Sequence, residues 1–129
     1  MTACPKPTRA KKKKRKKLTP FPTLIKKANK VFNKFIRERD GQCVTCGTRN
    51  DLTCSHLITS GKKSVRYDTT NCNCQCKSHN FQHEWNPEIY TAWWINKYGL
   101  TAYNELIARS NMIKKFTREE LEKIIIAYS

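Results

Sequence analysis

The residues able to do chemistry crowd into one stretch, from Cys43 to His83, which holds all three histidines of the chain. Cys43-Val44-Thr45-Cys46 opens it, and Cys76-Lys77-Ser78-His79 repeats the same spacing near its end. Two ligands three residues apart can reach one Zn²⁺ from a tight turn, and Gly47 frees the backbone just after the first pair. Two such pairs make a closed Cys₃His site: Cys43, Cys46, Cys76 and His79. Cys54, Cys72 and Cys74 compete for a place in it, and any of them can replace His79. Cys54 otherwise reads as a small strand residue and Cys72 as a buried one.

Between the two pairs lies His56. A neutral imidazole there can take a proton from water attacking a phosphodiester. Alone, such a histidine is more often structural. Its company argues otherwise, because Asn71 and Asn80 follow and Asn80 directly succeeds the last zinc ligand. His83 stands three residues after Asn80, on the same helix face. Together they offer an oxygen and a nitrogen ligand to a divalent ion, Mg²⁺ or Mn²⁺, with water positions left open. Such an ion stabilises the leaving oxygen and the pentavalent charge.

These residues need elements to aim them. Thr23 caps a predicted helix that runs to Arg39, with Leu24, Ala28, Val31, Phe32, Phe35 and Ile36 on one apolar face. Leu52 to Ile58 is a predicted strand, Gly61-Lys62-Lys63 a loop tip, and Ser64 to Tyr67 a second strand. Asn71 to Gln75 reads as a turn or connector, and Lys77 to Trp85 as a short helix. Asn86-Pro87 starts another helix, stopped by Gly99. Thr101 to Arg109 is a further one. Thr117-Arg118-Glu119-Glu120 is a capping box that opens the last. Most of the aromatic residues in these helices read as core. The expected fold is α+β. A basic disordered tail covers residues 1–22 and a single domain residues 23–129. The domain divides into an N-terminal helix at 23–40, a zinc-stapled strand–strand–helix module at 41–86 and C-terminal helices at 87–129.

Charge narrows the partner. The chain has 129 residues and a net charge of +16. Residues 1–17 hold nine Lys/Arg and no acid, and the 17 Lys/Arg beyond them still outnumber 10 acids. A basic tail on a basic body fits a polyanion, most simply nucleic acid. Lys11, Lys12, Lys13, Lys14, Arg15, Lys16 and Lys17 would grip phosphates without reading bases. The run also has the composition of a nuclear localisation signal. Lys62, Lys63 and Arg66 would add phosphate contacts beside His56. No apolar run is long enough for a membrane span, and the charged N-terminus is unlike a signal peptide. Seven cysteines, an odd number, fit metal ligands in a reducing compartment better than a disulfide framework.

The motifs, taken together, carry a resemblance. C-x-x-C, then Ser55-His56, Arg66-Tyr67-Asp68-x-x-Asn71 and Gln75-Cys76-x-x-His79-Asn80 resemble the NinG (Rap) family of lambdoid phage recombination nucleases. The likeness starts near Phe35-Ile36-Arg37-Glu38-Arg39-Asp40 and continues through Tyr98-Gly99, Leu106 and Thr117 to Tyr128, covering residues 28–129. The order of the zinc pairs and the active His and Asn is also similar to phage endonuclease VII, a Holliday-junction resolvase. The resemblance implies an HNH-like ββα-metal (His-Me finger) nuclease that cuts branched recombination intermediates. It would work in the cytoplasm of the bacterial host. Carried over by residue, it makes Cys43, Cys46, Cys76 and His79 structural zinc ligands and His56 the general base. Asn71 becomes a tether for the loop of the hairpin, and Asn80 a ligand of the catalytic ion. Paired cuts imply a homodimer.

The chain departs from the family pattern at His79 and from His83 through Glu84-Trp85-Asn86. As that pattern itself does, it departs from the commonest HNH nucleases at Ser55. His79 stands where the family usually has Cys, and His83 where it usually has Lys. Ser55 precedes His56, where the commonest HNH nucleases have Asp. That leaves the first catalytic ligand open among Asp51, Asp68, His83 and Glu84, with His83 favoured. Two other functions compete: an HNH nicking or homing-type nuclease on duplex DNA, and a non-catalytic zinc finger that binds nucleic acid.

Overall fold

The first element, α1 (Phe21–Asp40), is a long amphipathic helix that buries Leu24, Ala28, Phe32 and Ile36 at helical spacing. Pro20, not the expected Thr23, is its N-cap, so it begins three residues early. Pro22 lies in its first turn, where the missing N–H has no intrahelical partner to lose. Gly41 ends it in the left-handed region at φ 66°, and its N–H bonds the Arg37 carbonyl. The computed structural model describes residues 18–129, so the phosphate-gripping run expected at Lys11 to Lys17 lies outside the described residues.

Two strands follow, β1 (Leu52–His56) and β2 (Cys72–Cys76), paired antiparallel with Leu52 opposite Cys76 and His56 opposite Cys72. The second strand is not the expected Ser64–Tyr67. Those residues form part of the loop between the strands, with a 3₁₀ turn at Lys63–Val65. The segment expected to be a connector is the strand. Its polar residues pair inside the protein, which is why it does not need to be a surface turn. Asn71, Asn73 and Gln75 face inward on one side and are almost fully buried. Cys72 and Cys74 fill the other side, under α1. Val65 and Tyr67, which made the earlier segment look strand-like, anchor the loop in two apolar clusters instead.

Next comes α2 (Lys77–Trp85), then α3 (Glu88–Tyr98), α4 (Leu100–Ser110) and α5 (Arg118–Tyr128). Pro87 is the N-cap of α3, so that helix starts just past the expected Asn86-Pro87. The capping box at Thr117 and Glu120 is present with both of its hydrogen bonds. Among the described residues the architecture is five α-helices around one two-stranded hairpin.

Two layers hold the hairpin. Phe32 and Ile36 of α1 cover the Cys72 face, with Tyr128 of α5 set edge-on to Phe32 at 5.0 Å. On the opposite face, Tyr90 of α3 donates its hydroxyl to the Ser55 carbonyl at 2.9 Å and accepts from Asn73 at 3.1 Å. Trp94 donates to the Thr70 carbonyl at 2.6 Å. Arg39 and Asp40, at the end of α1, also grip β2: Arg39 donates to the Cys72 carbonyl at 2.9 Å, and the Asp40 carboxylate accepts from the Cys74 N–H at 2.8 Å. Backbone groups of β2 are thus tied from both sides, and α2 leaves it in a fixed direction.

Candidate functional site

Cys43 and Cys46 lie on a knuckle bonded to β2 through the Val44 N–H and the Cys74 carbonyl, at 2.9 Å. Gly47, at φ 77°, turns the chain and returns an N–H to the Cys43 carbonyl. Cys76 ends β2 and His79 sits in the first turn of α2. Ligand atoms of these four residues all lie within 4.8 Å of one another. Cys43 Sγ is 3.9 Å from His79 Nδ1, Cys46 Sγ is 3.9 Å from Cys76 Sγ, and Cys76 Sγ is 3.2 Å from His79 Nδ1. A tetrahedral zinc with Zn–S of about 2.3 Å and Zn–N of about 2.0 Å separates its ligands by roughly 3.5–3.8 Å. The cluster is compatible with zinc. Burial raises the Cys43 thiol's pKa, but backbone N–H groups of Cys76, Cys46 and Thr45 outweigh it, bringing the thiol down to about 6. That favours the thiolate a metal needs. Cys54, Cys72 and Cys74 take no part in this cluster.

Beside β1, between it and α2, an open cleft of about 570 Å³ is lined by Cys54, His56, Asn80, His83 and Glu84. His56, Asn80 and His83 are therefore brought to one place. His56 is half-buried, and its Nε2 lies 3.0 Å from the Arg66 carbonyl. A carbonyl only accepts, so Nε2 carries the proton and Nδ1 keeps the lone pair. Burial pushes the imidazole below its ordinary pKa, despite the opposing pull of that carbonyl. The ring is thus neutral at neutral pH.

Asn80 is oriented by β1. The Thr53 hydroxyl donates to the Gln75 carbonyl at 2.8 Å, so its oxygen must accept from Asn80 Nδ2 at 3.1 Å. This fixes the amide, with Oδ1 toward Ser55. Ser55 Oγ lies 2.7 Å from Gln75 Oε1 and 3.0 Å from Asn80 Oδ1. One hydroxyl proton cannot fully satisfy two acceptors. The proton is shared and leans to the shorter contact with Gln75, so Asn80 Oδ1 is held yet keeps lone pairs free. Ser55 is therefore an orienting residue for Asn80, a role its chemistry as a poor metal ligand did not suggest.

His83 donates Nε2–H to the Leu57 carbonyl at 2.8 Å. Its Nδ1 is buried and has no hydrogen-bond partner among the described residues. An orphaned lone pair of this kind suits a cation ligand. Glu84 is the carboxylate in the cleft. Asp68 is engaged elsewhere, accepting from Thr70 at 2.5 Å and from Arg109 at 2.9 Å. Asp51 precedes β1, outside the residues that line the cleft.

Asn71 is fully buried and touches no open site. Its Oδ1 accepts from the Ile58 N–H at 2.8 Å, and its Nδ2 lies 3.0 Å from both the Ile58 and the Val65 carbonyls. It clasps the two ends of the loop and so positions the Arg66 carbonyl that His56 uses. Lys62 and Lys63 are exposed on that loop, while Arg66 folds back to donate to the Ser60 carbonyl at 3.0 Å. Of the aromatics, Tyr90 and Trp94 are core, whereas Phe81 and Trp85 stand exposed on α2, 66% and 65% accessible. Sequence reasoning missed Thr53, Gln75 and Tyr90 as supports. For Gln75 the signal was the alternation of polar residues with Cys through 71–76, and nothing local pointed to Thr53 or Tyr90.

Residues 3–129 match the family described as Bacteriophage Lambda NinG protein. The chain is 31% identical over 116 residues to protein ninG of Escherichia phage 933W, covering 86% of this chain and 57% of that protein. It is 30% identical over 116 residues to protein ninG of Salmonella phage P22, with the same coverage. Protein ninG of Escherichia phage lambda is 29% identical over 116 residues, covering 86% of this chain and 56% of that protein. The chain thus spans little more than half the length of these relatives. No solved structure matches it. Among the described residues, no helix is long and apolar enough to cross a membrane.

Proposed function

The chain belongs to the bacteriophage lambda NinG family, and we propose that it is a metal-dependent DNA endonuclease of the ββα-metal type acting on branched DNA such as Holliday junctions. The observation that carries this reading is the neutral His56 held by the Arg66 carbonyl at 3.0 Å, in a cleft shared with Asn80, His83 and Glu84. The strand–loop–strand–helix order, with a Cys₃His cluster at the strand–helix junction, supports the reading.

In this reading His56 Nδ1 takes the proton of the attacking water, and the Arg66 carbonyl holds the imidazolium that results. Asn80 Oδ1 and His83 Nδ1 would hold a Mg²⁺ or Mn²⁺ ion, with Glu84 supplying negative charge nearby. The ion would polarise the scissile phosphate and stabilise the leaving oxygen. A zinc held by Cys43, Cys46, Cys76 and His79 would do no chemistry and would fix the start of α2 and hence the direction of Asn80. Asn71 and Ser55 are positioning residues.

Lys62, Lys63 and Arg66 would supply phosphate contacts, and Lys11 to Lys17 would add affinity without sequence preference. Paired cuts at a junction call for a homodimer. The setting is the cytoplasm of the infected host. Cleavage of a four-way junction against its matched linear duplex, in Mg²⁺, tests the reading. Faster cutting of the junction supports it. Equal cutting of both substrates points to a nicking or homing-type enzyme, and no cutting of either points to a binding module.

A further inference from the structure

A second group of metal-ligand atoms lies next to the cleft, separate from the zinc staple. Ligand atoms of Cys54, His56 and Cys72 all fall within 4.8 Å of one another. The hairpin register produces this: Cys72 is directly opposite His56, and Cys54 is two residues before His56 on the same face. Cys72 Sγ and His56 Nε2 both converge on the Arg66 carbonyl, at 3.5 Å and 3.0 Å. Cys72 is sealed beneath Phe32 and Ile36, whereas Cys54 and His56 line the open cleft.

We propose that Cys54, His56 and Cys72 bind one thiophilic divalent cation, Zn²⁺ or Cd²⁺, and that this cation switches off the endonuclease by occupying His56. Two thiolates and an imidazole fill three positions of a tetrahedron, and water from the cleft can take the fourth. Both thiols lose their protons to solvent on binding. The two thiolates then neutralise the ion, which suits a site buried on the Cys72 side. Soft sulfur ligands select against Mg²⁺, so this site does not compete for the hard cation at Asn80 and His83.

The effect on chemistry follows from electron count. A neutral imidazole has one ring lone pair. Whichever nitrogen binds the cation, that pair is used, and His56 cannot accept a proton from water. The Arg66 carbonyl, now facing a metallated ring or its other tautomer, no longer orients a free base. This silencing half rests on the nuclease reading. The binding half does not.

Cadmium NMR of the full-length protein, with cadmium also in the Cys43 cluster, separates the two. Wild type in a slight excess of cadmium is expected to show two resonances, one for each site. Cys54→Ser and His56→Ala should each abolish the second and keep the first, which also reports that the variant is folded. A single resonance in wild type overturns the site, as does a second one that survives both variants. Filling the second site should also suppress Mg²⁺-dependent junction cleavage by at least tenfold. Cleavage at an unchanged rate with that site occupied overturns the silencing role. A protein that cut no DNA would remove the nuclease reading and leave the cadmium result to decide the site.

Discussion

His56 and Arg66 are joined by a hydrogen bond from the imidazole Nε2 to the backbone carbonyl, 3.0 Å long and spanning ten residues of sequence. It does two things at once. It selects the tautomer with a free Nδ1, and it places a partial negative charge where an imidazolium will form. The carbonyl belongs to a loop that has no regular strand, so the loop must be held by other means. Asn71 supplies the clasp, and Val65 and Tyr67 supply the anchors.

Loss of the clasp should therefore be felt far from Asn71 itself. Asn71→Ala strands the Ile58 N–H and carbonyl and takes one of two donors from the Val65 carbonyl, at about 1–3 kcal/mol for each group left unpaired. We expect a total loss of about 3 kcal/mol in urea unfolding. Activity should fall further than stability predicts, because the Arg66 carbonyl shifts. A variant with wild-type unfolding would show that the clasp is dispensable.

Zinc removal should dismantle the module and leave much of the helical content. The four ligands tie the knuckle, the end of β2 and the first turn of α2 to one point. Metal analysis should find zinc retained through gel filtration in wild type and lost in Cys76→Ser. Chelation should abolish near-ultraviolet dichroism while sparing much of the far-ultraviolet signal. A chelated protein with unchanged near-ultraviolet dichroism would contradict a structural metal.

Much of this arrangement was readable in the sequence, and what was missed has a physical cause. The two ligand pairs, α1, α2 and the Thr117 capping box are short-range signals, set by spacing within one or two turns. Strand β2 was misplaced because Asn71, Asn73 and Gln75 look like surface turn residues when each is taken alone. Their alternation with Cys72, Cys74 and Cys76 is a strand pattern whose polar half is buried and paired. The partners that make such burial possible, Tyr90 and Ser55, lie 17 and 20 residues from Asn73 and Gln75. Local spacing carries no information about them. The same holds for Ser55, which reads as a failed metal ligand until Asn80 is seen beside it.

Asp68 should set part of the acid limb of stability. Burial alone would raise its pKa, but hydrogen bonds from Thr70 and the ion pair with Arg109 outweigh that and hold it below the usual carboxylate value. A depressed folded pKa means the contribution is complete above the unfolded value of 3.8 and is lost as pH falls through the folded one. Urea unfolding followed downward from pH ~5 should therefore show a shallower acid decline for Asp68→Asn than for wild type. Parallel declines would exclude Asp68 as a contributor.

The basic run from Lys11 to Lys17 should act on DNA affinity through salt alone. Each phosphate contact it provides adds about 0.9 to the slope of log K against log salt for duplex DNA. Removing residues 11–17 should flatten that slope by several such steps and weaken binding to junction and duplex alike. A slope unchanged by the deletion would show that the run makes no phosphate contacts.

His56 as the base is tested most directly by Mg²⁺-dependent cleavage of a four-way junction with zinc-replete wild type and His56→Ala. General-base loss costs about 10²–10⁴ in rate. We predict a fall in that range, with zinc content and junction binding retained. His56→Ala cleaving at the wild-type rate would contradict the account.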